Sequence, residues 1–152
     1  MYSGLTKSMY QSDYWPMQID NLQDESTLQL LEQHLYLLPL GSRKATYHVL
    51  GQTNLNTTDA QILAKASEDC WNALLDKDLK AIGKHMTASF EAQIAMFPRM
   101  VDEDIIQLIS QYKDIVLGYK ISGAGGGGYL ILLSELPIEN ALKINARRYP
   151  LW

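Results

Sequence analysis

A run of small residues, Ser122-Gly-Ala-Gly-Gly-Gly-Gly128, follows Lys120-Ile121 and precedes the apolar stretch Tyr129-Leu-Ile-Leu-Leu133. Dense glycine leaves backbone N–H groups bare, and such loops can cradle an anion. Gly123, Gly125 and Gly128 also fit the spacing G-x-G-x-x-G. A dinucleotide site needs a strand, the glycines and then a helix whose N-terminus takes the pyrophosphate. Here a second strand-like run follows instead. A Walker A loop needs Gly-Lys-Ser/Thr, and Gly128 is followed by Tyr129. The Gly-rich loop of protein kinases has strands on both sides, but a long catalytic domain with HRD and DFG must follow it. Neither motif occurs here. A ligand-free hairpin is the plain alternative. A tight hairpin is satisfied by two glycines, whereas this stretch spends five and incurs their folding entropy.

Other chemically capable residues are scattered. His34, His48 and His85 show no paired spacing and read as structural histidines. Asp102, Glu103 and Asp104 read as partners of a helix dipole rather than metal ligands. Arg43 and Lys44 follow a strand, and Arg99 follows Pro98; each is a candidate phosphate contact. Trp15, Trp71 and Trp152 are candidates for stacking on a sugar, with Trp15 and Trp71 better suited to a core. The single cysteine, Cys70, lies in an apolar helical pattern and reads as a buried, inert thiol.

Periodicity supplies the elements that would hold these residues. The first eleven residues show no pattern. Residues 13–19 alternate as a strand, with Pro16 near an edge or start. A capped helix is expected from Asp24 to about Gln33, then a strand over His34–Leu40 buried on both faces. Tyr47–Leu50 is a short apolar piece. A long helix capped by Thr57 or Thr58 carries Ile62, Ala66, Cys70 and Leu74 on one stripe. A break at Asp76–Asp78 leads to a second helix over Leu79–Phe97, ended by Pro98. A third helix starts at Asp102. Strands are expected over 114–122 and 129–134, and a last helix over 135–148 with Pro137 in its first turn. This order, about four strands and five helices, predicts one α+β domain with a single sheet and helices stacked against it.

The 152 residues suit one domain with a real core. A net charge of −4 and unclustered basic residues favour neither nucleic acid nor an anionic membrane. No stretch reaches the length of a membrane span. The first residues lack a signal-peptide pattern, so a cytoplasmic location is expected.

The stretch Lys120-Ile-Ser-Gly-Ala-Gly-Gly-Gly-Gly-Tyr-Leu130 resembles the third sequence motif of the GHMP kinase superfamily, which includes galactokinase, homoserine kinase, mevalonate kinase and bacterial heptose and fucose kinases. That motif runs basic, apolar, Ser/Thr, Gly, Ala/Ser, Gly, any residue, Gly, Gly/Ala, then an apolar strand. Tyr14-Trp-Pro16, the run from His34 to Arg43 and the run from Ser89 to Pro98 are similar to the C-terminal half of fucokinase-type and heptose-kinase-type enzymes. The resemblance implies a ferredoxin-like C-terminal domain over the whole chain. It implies that Ser122, Gly123, Ala124, Gly125 and Gly126 contact phosphate or acceptor, with Lys120 as a nearby cation or a solvated strand lysine. The family's ATP loop, of the type Gly-Leu-Ser-Ser, does not occur here; Gly4-Leu-Thr6 is a poor echo of it. The resemblance therefore implies that ATP and Mg²⁺ serve the complete enzyme, that this chain alone binds neither, and that it carries no catalytic residue. Its expected partners are an N-terminal GHMP domain in cis or trans, a sugar, and a second copy of itself through the face left open. The rival expectation is a stand-alone, non-catalytic binding or interaction module with the same fold.

Overall fold

The computed structural model describes residues 3–12, 14–43, 47–48 and 51–148. Lys44, Trp152 and the end of the Tyr47–Leu50 piece lie outside the described residues. The chain forms β1 (Leu5–Met9), β2 (Gln18–Leu22), α1 (Glu25–His34), β3 (Leu35–Gly41), α2 (Thr57–Asp76), α3 (Leu79–Met96), a 3₁₀ turn at Pro98–Met100, α4 (Glu103–Tyr112), β4 (Gly118–Ile121), β5 (Gly128–Leu133) and β6 (Leu142–Lys143). Strands β1 and β2 make a separate antiparallel hairpin. The other four form one antiparallel sheet in the order β4-β5-β3-β6. This is the expected α+β, ferredoxin-like layer.

Helix boundaries follow from capping chemistry. Asp24, Asp78 and Asp102 each accept a hydrogen bond from a first-turn N–H, at 2.9, 3.0 and 3.0 Å, which satisfies donors a helix start leaves bare. Lys77 takes a left-handed conformation between α2 and α3 and lets the chain reverse. The cap of α2 is Asn56, whose Oδ1 accepts from Asp59 N–H at 2.8 Å. The cap expected at Thr57 or Thr58 falls inside the helix.

One sheet face carries Tyr36, Leu38, Ile121, Leu130 and Leu132, packed on Phe90 of α3 and Ile105 of α4. Leu133 on the other face meets Ile82 and Ala73. Each fully buried large side chain stabilises by about 1.5–3 kcal/mol. Burial along β3 alternates between half-buried and buried over Leu35–Leu38, and Pro39 and Gly41 are exposed, so its second face is only partly covered, short of the expected double burial. Helix α3 also closes the sheet edge: the N–H of Tyr119 on edge strand β4 donates to the Thr87 hydroxyl at 3.0 Å. Edge donors left open invite foreign strands.

Three further expectations fail. The lead-in contains β1, and the next strand starts only at Gln18. Trp15 lies outside the core, 75% exposed, in the turn between these strands. The helix expected over 135–148 is absent. The Ser134 hydroxyl accepts from Leu136 N–H at 3.1 Å and Asn140 adopts a positive φ. Pro137 adds a missing donor, and the chain turns into β6, where Lys143 lies 3.6 Å above the Tyr36 ring centroid. Ile138 and Ala141 still reach the core, but from irregular chain. No helix among the described residues is long and apolar enough to cross a membrane.

Candidate functional site

The glycine run forms the loop between β4 and β5. Gly125 and Gly126 are required there by geometry. Both have positive φ, 78° and 68°. A Cβ on Gly125 would stand 2.7 Å from Met100 Cα, and one on Gly126 would enter the Tyr47 ring. The loop is pinned from outside. Gly126 N–H donates to Met100 O at 3.1 Å. The Tyr47 hydroxyl donates to Ala124 O at 2.8 Å, and Arg43 Nε donates to Gly125 O at 3.1 Å. The Arg43 guanidinium carbon lies 5.4 Å from the Tyr47 ring centroid. Burial pushes the Tyr47 phenol up from its ordinary value, against the pull of Arg43 and Arg99, so it stays a donor at neutral pH.

These bonds consume loop carbonyls and leave donors free. Among the described residues, the N–H groups of Gly123, Ala124 and Gly125 have no acceptor. Ser122 Oγ accepts from Tyr129 N–H at 3.2 Å, which leaves its own proton to donate. Consecutive bare N–H groups form a concavity suited to an anion. Beside the loop lies a cavity of about 300 Å³, lined by Tyr47, Gln52, Arg99, Asp102 and Gly126 among others. Arg99 brings positive charge to it. Asp102 caps α4 at the same time.

Ser122, Gly123, Ala124, Gly125 and Gly126 thus share one loop, with Arg43 bonded to Gly125 O and Arg99 lining the same cavity as Gly126. Lys120 is elsewhere. Its Nζ donates to Gln93 Oε1 and, at 3.5 Å, to Ser89 Oγ on α3, and it lines a second cavity. It is neither beside the loop nor a solvated strand lysine, because its side chain reaches the Ser89 and Gln93 side chains of α3. Sequence reasoning missed Tyr47, whose neighbours mark only an apolar piece, and Gln52. No local spacing signals either contact. The histidines stay apart: His34 Nδ1 is 2.9 Å from Ser134 O, and His85 Nδ1 is 3.8 Å from Asp69. Among the described residues no group of three His, Cys, Asp or Glu could hold a metal ion.

Comparison with known proteins adds the family. The model described as "GHMP kinases C terminal" matches residues 71–151, more than half of the chain and all of the glycine loop. No curated protein matches the sequence. Among solved structures, "Crystal structure of mevalonate kinase" aligns over 86% of this chain and 44% of its own, at 18% identity and a TM-score of 0.46. The chain therefore spans under half the length of that protein. On the family match and the α+β fold that carries the motif, the chain belongs to the GHMP kinase C-terminal family.

Proposed function

We propose that this chain supplies one wall of the active site of a GHMP-type kinase that phosphorylates a sugar, such as fucose or a heptose. The observation that carries the reading is the trio of acceptor-free N–H groups at Gly123, Ala124 and Gly125, next to a cavity holding Arg99. Donors fixed in advance stabilise charge on a phosphoryl oxygen without reorganising. Tyr47 and Arg43 act as positioning residues, because they hold the loop carbonyls. Arg99, Gln52 and Asp102 suit the hydroxyls and phosphate of a polar acceptor. ATP with Mg²⁺ supplies the transferred phosphoryl group in the complete enzyme. The metal ligands and the ATP loop come from an N-terminal GHMP domain, joined in cis or in trans. The reading carries a cytoplasmic location, and self-association of this chain when that domain is lacking; light scattering on the purified chain measures the latter, and a monomer contradicts it.

The test joins the chain to an N-terminal domain bearing the Gly-Leu-Ser-Ser motif and measures ATP-dependent phosphorylation of fucose and heptoses. Activity is expected in the joined protein, with none from this chain alone. Gly125→Val should lower kcat by about 10²-fold or more, as loss of such donors does. Phosphorylation by the isolated chain, or a joined enzyme indifferent to Gly125→Val, contradicts the proposal. A joined protein that binds sugar but never phosphorylates it points to the binding-module alternative.

A further inference from the structure

The second cavity has no role in the kinase reading. It measures about 330 Å³, at the lower end of ligand-sized pockets. Lys7 and Lys120 both line it, with Trp71 as an aromatic wall.

The two ammonium groups differ. Lys7 is paired, with Glu68 at 2.5 Å, and its Nζ lies 5.9 Å from the Trp71 ring centroid. Lys120 has no carboxylate partner among the described residues; Gln93 and Ser89 are both neutral. An ammonium carries three donors, and these partners take two. Burial makes the charge on Lys120 costly and lowers its pKa, while the Cys70 thiol opposes that shift. A half-buried cation with only neutral partners gains from an arriving anion. A bare inorganic anion would use the lysines and leave the apolar wall of Trp71, Leu74 and Met86 uncovered. A carboxylate on a small apolar body answers both.

We propose that this cavity, between β1, α2, α3 and β4, binds a small organic monocarboxylate, with its charge on Lys120 and Lys7 and its body against Trp71. The site is independent of the glycine loop, since no residue lines both cavities.

Phenylacetate is the probe. 2-Phenylethanol serves as its uncharged counterpart and inorganic phosphate as the charge without the body. Nuclear magnetic resonance of the full chain follows the Trp71 indole N–H. A saturable shift with phenylacetate is expected. It should be about tenfold weaker, or more, for 2-phenylethanol and in Lys120→Met, the scale of one charge-assisted hydrogen bond. A second readout uses the unmutated protein. The ionisable groups lining the cavity are Cys70 from α2 and Lys7 from β1, the latter paired with Glu68, while α3 presents neutral Ser89 and Gln93. Phenylacetate should raise the pH at which Lys120 deprotonates. An absent Trp71 shift, equal binding of 2-phenylethanol or phosphate, or an unmoved Lys120 titration overturns the proposal.

Discussion

The two cavities present hydrogen-bond donors in two ways. The one past the C-terminal end of α3 adjoins the bare backbone N–H groups of the glycine loop and is lined by Tyr47, Gln52, Arg99, Asp102 and Gly126 among others. The donors of the adjoining loop, at Gly123, Ala124 and Gly125, are fixed by chain geometry. The lysine cavity, against the middle of α3, is walled by side chains. Its donors are flexible, and one of them is held by neutral partners. A backbone site tolerates little where its loop is packed, at Gly125 and Gly126, but needs no buried charge. A side-chain site is easily altered and carries a desolvation cost.

The largest way to break the comparison is to remove what supports both. Phe90 is 1% exposed and packs against the sheet. Phe90→Ala should cost about 3–5 kcal/mol in denaturant unfolding and disturb both cavities together. Gly125→Val separates them. It forces a side chain into positive φ and toward Met100, with strain of about 1–3 kcal/mol, and should leave phenylacetate binding unchanged. Gly123, also at positive φ but with open space around it, should accept Ala at roughly 1 kcal/mol. Equal losses at the two positions would remove the role assigned to Met100. Tyr47→Phe deletes one hydrogen bond to Ala124 O and should cost about 0.5–1.5 kcal/mol, with faster amide exchange confined to the loop.

The frame around both sites responds to acid. Arg148 holds the carboxyls of Glu25 and Glu32 below their ordinary values. Hydrogen bonds from Ser26 and Thr27, then Lys77, hold Asp24 well below the carboxylate range. A carboxyl depressed in the folded state stabilises at pH above its unfolded value, near 4. That contribution is lost as pH falls toward the folded value. The melting temperature should therefore drop below about pH 4, and Arg148→Gln should shrink the drop. The smallest effect is expected at Trp15, 75% exposed. Trp15→Ser should change stability by less than about 0.5 kcal/mol and leave both sites intact.

What the sequence revealed was local. Caps at Asp24 and Asp102, the reversal at Lys77 and the stop at Pro98 all act within a few residues, and each marks an element end in the structure. The glycine loop was legible because its flanking strands exclude a following helix. The pins on that loop were not, because Tyr47 and Arg43 lie 77 and 82 residues from their acceptors. The false helix after Ser134 has apolar positions at helical spacing. A side-chain turn at Ser134 and pairing of β6 with β3 outweigh that spacing. The resemblance implies Lys120 as a cation near the loop or a solvated strand lysine, whereas long-range contacts with Ser89 and Gln93 hold it at the other cavity.

The central claim is that the free N–H groups of Gly123, Ala124 and Gly125 receive phosphoryl oxygens. Amide resonances followed during titration with tripolyphosphate test it most directly. The account predicts saturable downfield shifts and slowed exchange at those three amides, abolished by Gly125→Val. Shifts absent there, or centred on Lys7 and Lys120 instead, would contradict it.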